Sequence, residues 1–237
     1  GTSIIEKVKS DFIDYMDKEA PAAEDRITIN NGCIEITFEK GTISDIKDSA
    51  TGRNISAGEN NIINGLRFIQ TKKSGYWISC WEKEKEFEAV AERWGIIENG
   101  PIRWVYRIEG RLGDNAYRCN IILNRGERAV GFDLEIDSTG EEGYFTADFS
   151  CNTDPRIFAD IPFGVEERNL SVETYESMPE SVNNYNSLER GWPGQFYAKS
   201  WAMFGKDDML LSVVSKNCSI YYHHDSDKRI VSLILNR

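Results

Sequence analysis

From Arg26 to its last residue the chain is written with a two-residue period. In CIEITFE, Ile34, Ile36 and Phe38 alternate with Glu35, Thr37 and Glu39. On an extended backbone this puts the apolar side chains on one face and the polar ones on the other. The alternation returns in PIRWVYRIEG, where Ile102, Trp104, Tyr106 and Ile108 oppose Arg103, Arg107 and Glu109, and in RAVGFDLEID, with Val130, Phe132, Leu134 and Ile136. MLLSVV, CSIYY and RIVSLIL add three short strands near the C-terminus. A helix could not use this pattern, because a 3.6-residue period would scatter the apolar side chains around its whole circumference. About a dozen strands parted by Gly, Asn and Asp turns predict an all-β chain, a large antiparallel sandwich.

Local punctuation agrees. After CIEITFE, Gly41 interrupts and ISDIKD runs to a Thr51-Gly52 turn, which reads as a hairpin. KEFEAVAERW is ambiguous, since Phe87, Val90, Ala91 and Trp94 also fit helical spacing; it is taken as a strand entry. Residues 1–26 differ in kind. In SIIEKVKSDFIDYMDK, Ile5, Val8, Phe12 and Tyr15 are helically spaced, Ser3 and Glu6 form a capping-box pattern, and Pro21 ends the run. This predicts one helix and a linker, then a sandwich domain over 27–237. A helix this short cannot shelter its own apolar face and must pack on something else. No fixed-period repeat is visible, which disfavours propellers and solenoids.

With 237 residues the chain is long enough to bury a core. Its net charge of −11 repels phosphate backbones and anionic lipid surfaces, so neither nucleic acid nor membrane is an expected partner. No run of about 18 apolar residues occurs, and the first residues carry no signal-peptide pattern. A soluble, cytoplasmic chain is expected, although Gly1-Thr2 resembles an expression scar or cut point. The five cysteines, at 33, 80, 119, 151 and 218, are scattered and odd in number, as free, mostly buried thiols would be.

Catalytic motifs are absent: no G-x-S-x-G, no phosphate-binding Gly-rich loop, no H-E-x-x-H. His223 and His224 are adjacent, so on a strand they face opposite ways and cannot readily share one metal or substrate atom. Glu166 with Glu167, or Asp160 with Glu166, could be proposed as the carboxylate pair of a glycosidase. Among 39 acidic residues such pairs arise by chance, and a solvated face or a salt bridge to Arg168 is the stronger expectation. The region 151–200 departs from strand regularity and holds four of the six prolines, the character of a functional excursion or a crossover. There Trp192, Phe196 and Tyr197, with Trp77 and Trp81 elsewhere, could offer flat faces to sugar rings. Arg168, Arg190 and Asn184 could bond hydroxyls. Trp201, in the alternating YAKSWAMF, is assigned to the core.

Taken in order, NGCIEITFEKGTISDIKDSATGR, IIENGPIRWVYRIEG, IILNRGERAVGFDLEID, ADIPFGVEERN, YAKSWAMFGKDDMLLSVVSKNCSIYY and RIVSLILNR resemble the C-terminal β-sandwich region of glycoside hydrolase family 38 α-mannosidases. The resemblance covers residues 27 to 237. It implies a galactose-mutarotase-like supersandwich, preceded by a helical segment of which Ser3 to Lys18 would be the tail. The family's zinc site and aspartate nucleophile belong to an N-terminal α/β domain that has no counterpart here, so no catalytic residue, metal ligand or cofactor is carried over. The chain also stops where relatives continue, as an excised fragment would, and is not expected to be active alone. The resemblance implies a noncatalytic module that packs on its own upstream catalytic and helical domains. Carbohydrate is the expected ligand, with Arg168, Arg190, Trp192 and Tyr197 as candidate contacts. The alternatives are an independent aldose epimerase, using a histidine acid and a carboxylate base, and a purely structural or carbohydrate-binding sandwich.

Overall fold

A computed structural model describes residues 20, 24–55, 62–73, 81–151, 155–168, 195–206, 209–215, 220–225 and 228–236. The expected N-terminal helix lies outside them. Every regular element among the described residues is a β-strand, and the paired strands with a stated register are antiparallel. The strands group into two compact units, 1–54 with 90–139 and 55–89 with 140–237.

The first unit opens with β1 (Arg26–Asn30), β2 (Ile34–Glu39) and β3 (Thr42–Asp48), a three-stranded meander. Ile34, Ile36 and Phe38 are buried and Glu39 is exposed, as the alternation requires. The β2–β3 hairpin is expected from the sequence and has a two-residue turn, with Lys40 at φ 48° and Gly41 at φ 77°. Positive φ at both positions matches the right-handed twist of the flanking strands. Buried Asn31 anchors the β1–β2 turn. Its Nδ2 donates to the carbonyls of Asn124 and Glu127, at 2.7 and 2.9 Å, and its Oδ1 accepts from the amides of Cys33 and Ile34.

Leaving β4 (Ile63–Lys73) for the second unit, the chain enters β5 (Trp81–Asn99), which resolves the ambiguity of KEFEAVAERW in favour of strand. The second half of β5 is followed by β6 (Arg103–Leu112), β7 (Asn115–Asn124) and β8 (Val130–Asp137) in ladder order. The half-polar expectation for β6 is corrected here. Arg107 and Glu109 are buried along with Val105, Tyr106 and Ile108, while Ile102 is exposed ahead of the strand. Both faces of β6 are covered, and Arg107 is accommodated by donating from Nε to Asn120 Oδ1 at 2.7 Å. Phe38 stacks on Tyr106 with ring centroids 3.9 Å apart.

The second unit adds β9 (Gly143–Ser150), β10 (Arg156–Ile161), β11 (Gly164–Arg168), β12 (Gln195–Ala198), β13 (Trp201–Lys206), β14 (Met209–Val214), β15 (Ile220–Asp225) and β16 (Ile230–Asn236). One ladder runs β12-β15-β16-β9-β4 and on to the first half of β5. A separate four-stranded sheet runs β11-β10-β13-β14. Phe68 packs on Phe145 and Phe87 on one side of the ladder, and Ile69, Tyr144 and Ile234 form a small buried cluster on the other. Cys119 and Cys151 are buried and Cys33 is half-buried, none of them in a disulfide.

Candidate functional site

The segment DIPFGVEER folds into the β10–β11 hairpin, in which Ile161 pairs with Gly164 across a two-residue turn of Pro162 and Phe163. Pro162 fixes its own φ near −65°, and Phe163 follows at φ 78°, the φ sequence of a type II turn. Asp160 ties β10 to the segment between β12 and β13. Its carboxylate accepts from the Ser200 amide at 2.8 Å, the Ser200 hydroxyl at 2.6 Å and the Trp201 amide at 2.9 Å. Burial would raise this carboxyl, but these bonds together hold it below the usual aspartate value. They fix the bend between β12 and β13.

The proposed carboxylate pair is divided between two faces of β11. Glu166 is ion-paired to Arg168 at 2.9 Å, one of the two expected outcomes for these acids, whereas Glu167 is bound by Arg156 through Nε and Nη2 at 2.7 and 3.1 Å. Neighbouring strand residues face opposite ways, so the two carboxylates cannot flank one bond. Arg168 itself is half-buried opposite Ile157, and its Nε is buried without a hydrogen-bond partner among the described residues.

Of the four candidate carbohydrate contacts, Arg190 and Trp192 lie outside the described residues, as do Asn184 and Trp77. Tyr197 is half-buried on β12, opposite Tyr221, while Phe196 is buried. Lys199 and Ser200, just beyond Tyr197, bond Asp160, whereas Arg168 stands level with Ile157. At about 3.3 Å per residue, these two levels on β10 are roughly 10 Å apart. Trp201 corrects an expectation: it is half-buried, and the fully buried neighbours are Ala202 and Phe204.

A polar row crosses the long ladder. Register aligns Gln195 with His223, His223 with Ser232, and Ser232 with Asp148. His224 takes the next register position, opposite Val231. Arg67 on β4 donates to both Asp148 and Glu86 and reaches Ser232 Oγ at 3.2 Å. Lys83 and Lys228 also bind Glu86, Lys228 at 2.8 Å. Burial alone would raise the Glu86 carboxyl; hydrogen bonds from Lys228, Lys83 and Arg67, with the Arg67 charge, outweigh it and lower it to about 2. Sequence inspection missed this network, because its members are scattered from β4 to β16 and no local spacing links them.

His223 and Asp148 are two strands apart, about 10 Å at the usual strand spacing, and Asp148 is buried and committed to Arg67. No group of three or more His, Cys, Asp or Glu among the described residues is placed to hold a metal ion.

A family model described as Glycosyl hydrolases family 38 C-terminal domain matches residues 29–237. No curated protein matches the chain.

Proposed function

Because the chain belongs to the glycosyl hydrolases family 38 C-terminal domains, we propose that it is the noncatalytic β-sandwich module of an α-mannosidase-like enzyme, seated on that enzyme's catalytic portion. The observation that carries this is the extent of the match, from within β1 to the final residue. Residues 27–237 constitute the sandwich, and residues 1–26 lead into it from the helical part of the enzyme. Zinc and the nucleophile belong to the catalytic portion.

Carbohydrate contact is assigned to the region of Arg168, Arg190, Trp192 and Tyr197. Support comes from Arg168, whose guanidinium is held at Nη1 by Glu166 while its side chain stays partly exposed. A guanidinium so placed can bond one further acceptor.

Hydrolysis of an aryl α-mannoside tests the proposal. The 237-residue chain alone is expected to be inactive, and the enzyme carrying both portions active; turnover by the chain alone overturns the noncatalytic assignment. In the whole enzyme, Arg168→Ala is expected to raise KM several-fold with little change in kcat, the signature of lost binding common to ground and transition states. Unchanged KM would make Arg168 purely structural.

A further inference from the structure

The four-stranded sheet β11-β10-β13-β14 has one face in the core and one in solvent. Ile157, Ala159, Ala202, Phe204 and Val213 are buried on the inner face. Register places Val165 beside Asp160, Phe158 beside Met203, Trp201 beside Val214 and Gly205 beside Leu210, all on the other face. Apolar side chains outnumber polar ones on that outer face, which also carries Arg156, Asp160, Glu167 and Ser212. Val165 is 59%, Leu210 43% and Val214 65% exposed, and Phe158, Trp201 and Met203 are half-buried.

Its charges are already spent. Arg156 covers the Phe158 ring at 4.8 Å and is bound to Glu167. Asp160 is consumed by Ser200 and Trp201. The rim therefore presents no unpaired charge from these residues, and the surface it complements is apolar rather than ionic. At the hairpin tip beside Val165, Phe163 is fully exposed at 108% and is held at φ 78°. An exposed aromatic in a conformation that disfavours side chains gains nothing within this chain.

Size decides among occupants. Four strands at about 4.8 Å and some five residues at about 3.3 Å give a face on the order of 300 Å². That is the order of the largest apolar patch on a typical monomer, which is often a functional one. Separate molecules, including two copies of this chain, need about 800 Å² per partner for a stable complex. A partner on the same polypeptide is held at high effective concentration and needs less.

We propose that the outer face of β11-β10-β13-β14, with Phe163 at its tip, is the surface on which the glycoside hydrolase catalytic portion of the same enzyme seats, through an apolar patch of its own. This rests on the assignment of the chain as a module of such an enzyme and adds where the contact lies.

The test uses two charged variants, Val214→Asp and Ser212→Arg; Ser212 is already exposed and polar on this face. Thermal unfolding is compared in the 237-residue chain and in the whole enzyme, with Val90→Asp, an exposed position in the other unit, as control. Both face variants are expected to leave the melting temperature of the chain alone unchanged. In the whole enzyme they lower it by about 3 °C or more, and the control does not. If whole-enzyme melting is unmoved while the two portions of the wild type still unfold together, the face is wrongly assigned but the module assignment stands. If the wild-type portions unfold independently of each other, the module assignment itself fails. Two further outcomes would also overturn the proposal: concentration-dependent dimers of the chain that Ser212→Arg abolishes, and mannobiose quenching of tryptophan fluorescence lost in Trp201→Ala.

Discussion

Phe163 holds a backbone conformation that costs a non-glycine residue about 1–2 kcal/mol, and it is fully exposed. Phe163→Gly removes that strain while adding about 0.5–1 kcal/mol of unfolded-state entropy. The isolated chain is expected to gain about 0.5–1 kcal/mol, read as a higher urea midpoint with unchanged m-value. Arg67 shows the opposite economy. It is nearly buried between Asp148 and Glu86, and its guanidinium is driven still further into the charged form by both carboxylates, against the effect of burial. Arg67→Met strands Asp148, whose other oxygen has no partner among the described residues. Leaving a buried charge unpaired costs about 3–5 kcal/mol, so the single variant should unfold at markedly lower urea. The double variant Arg67→Met, Asp148→Leu removes both charges and should recover most of the loss. Equal instability of single and double variants would show that packing, not charge, is at stake.

Among the elements, β6 depends on one missing side chain. A Cβ on Gly110 would stand 2.0 Å from the Val90 carbonyl oxygen and 3.0 Å from the Ala91 Cα. Backbone at that distance cannot yield as a side chain can, so Gly110→Ala must push two strands apart. The expected loss is about 3 kcal/mol, measured by urea unfolding; a loss below 1 kcal/mol would mean that the ladder relaxes there. The sequence identified this element and its alternation, but assigned Arg107 and Glu109 to solvent. Period 2 shows that a strand has two faces. Whether both are covered depends on what packs against them, and that is absent from the local pattern. The same limit explains Trp201. In YAKSWAMF the alternation separates Trp201 and Met203 from Ala202 and Phe204, and the buried pair proved to be the latter.

Across the second unit, the Arg67 network makes stability depend on acid. The Glu86 carboxyl titrates near 2 in the folded chain against an ordinary 4.5. A carboxyl depressed by folding contributes stability above its unfolded value, and that contribution is lost as pH falls toward the folded one. The melting temperature should therefore fall between about pH 4.5 and pH 2, and Glu86→Gln should flatten that part of the profile. An unaltered profile in the variant would place the acid sensitivity in other carboxylates. Legible in the residues alone were the all-β class, the β2–β3 hairpin, the strand character of the C-terminal segments and, through the order of the motifs, the family. These are local or ordered properties, written in period, turn residues and spacing. Only the tertiary structure decided that Glu166 and Glu167 serve different arginines, that Asp160 fixes a bend, and that Arg67, Glu86, Asp148 and Ser232 meet. It also decided which side of β11-β10-β13-β14 is left open. Strand order and register bring residues together from positions as far apart as 67 and 232, and a one-residue shift in register would exchange the two faces of any strand.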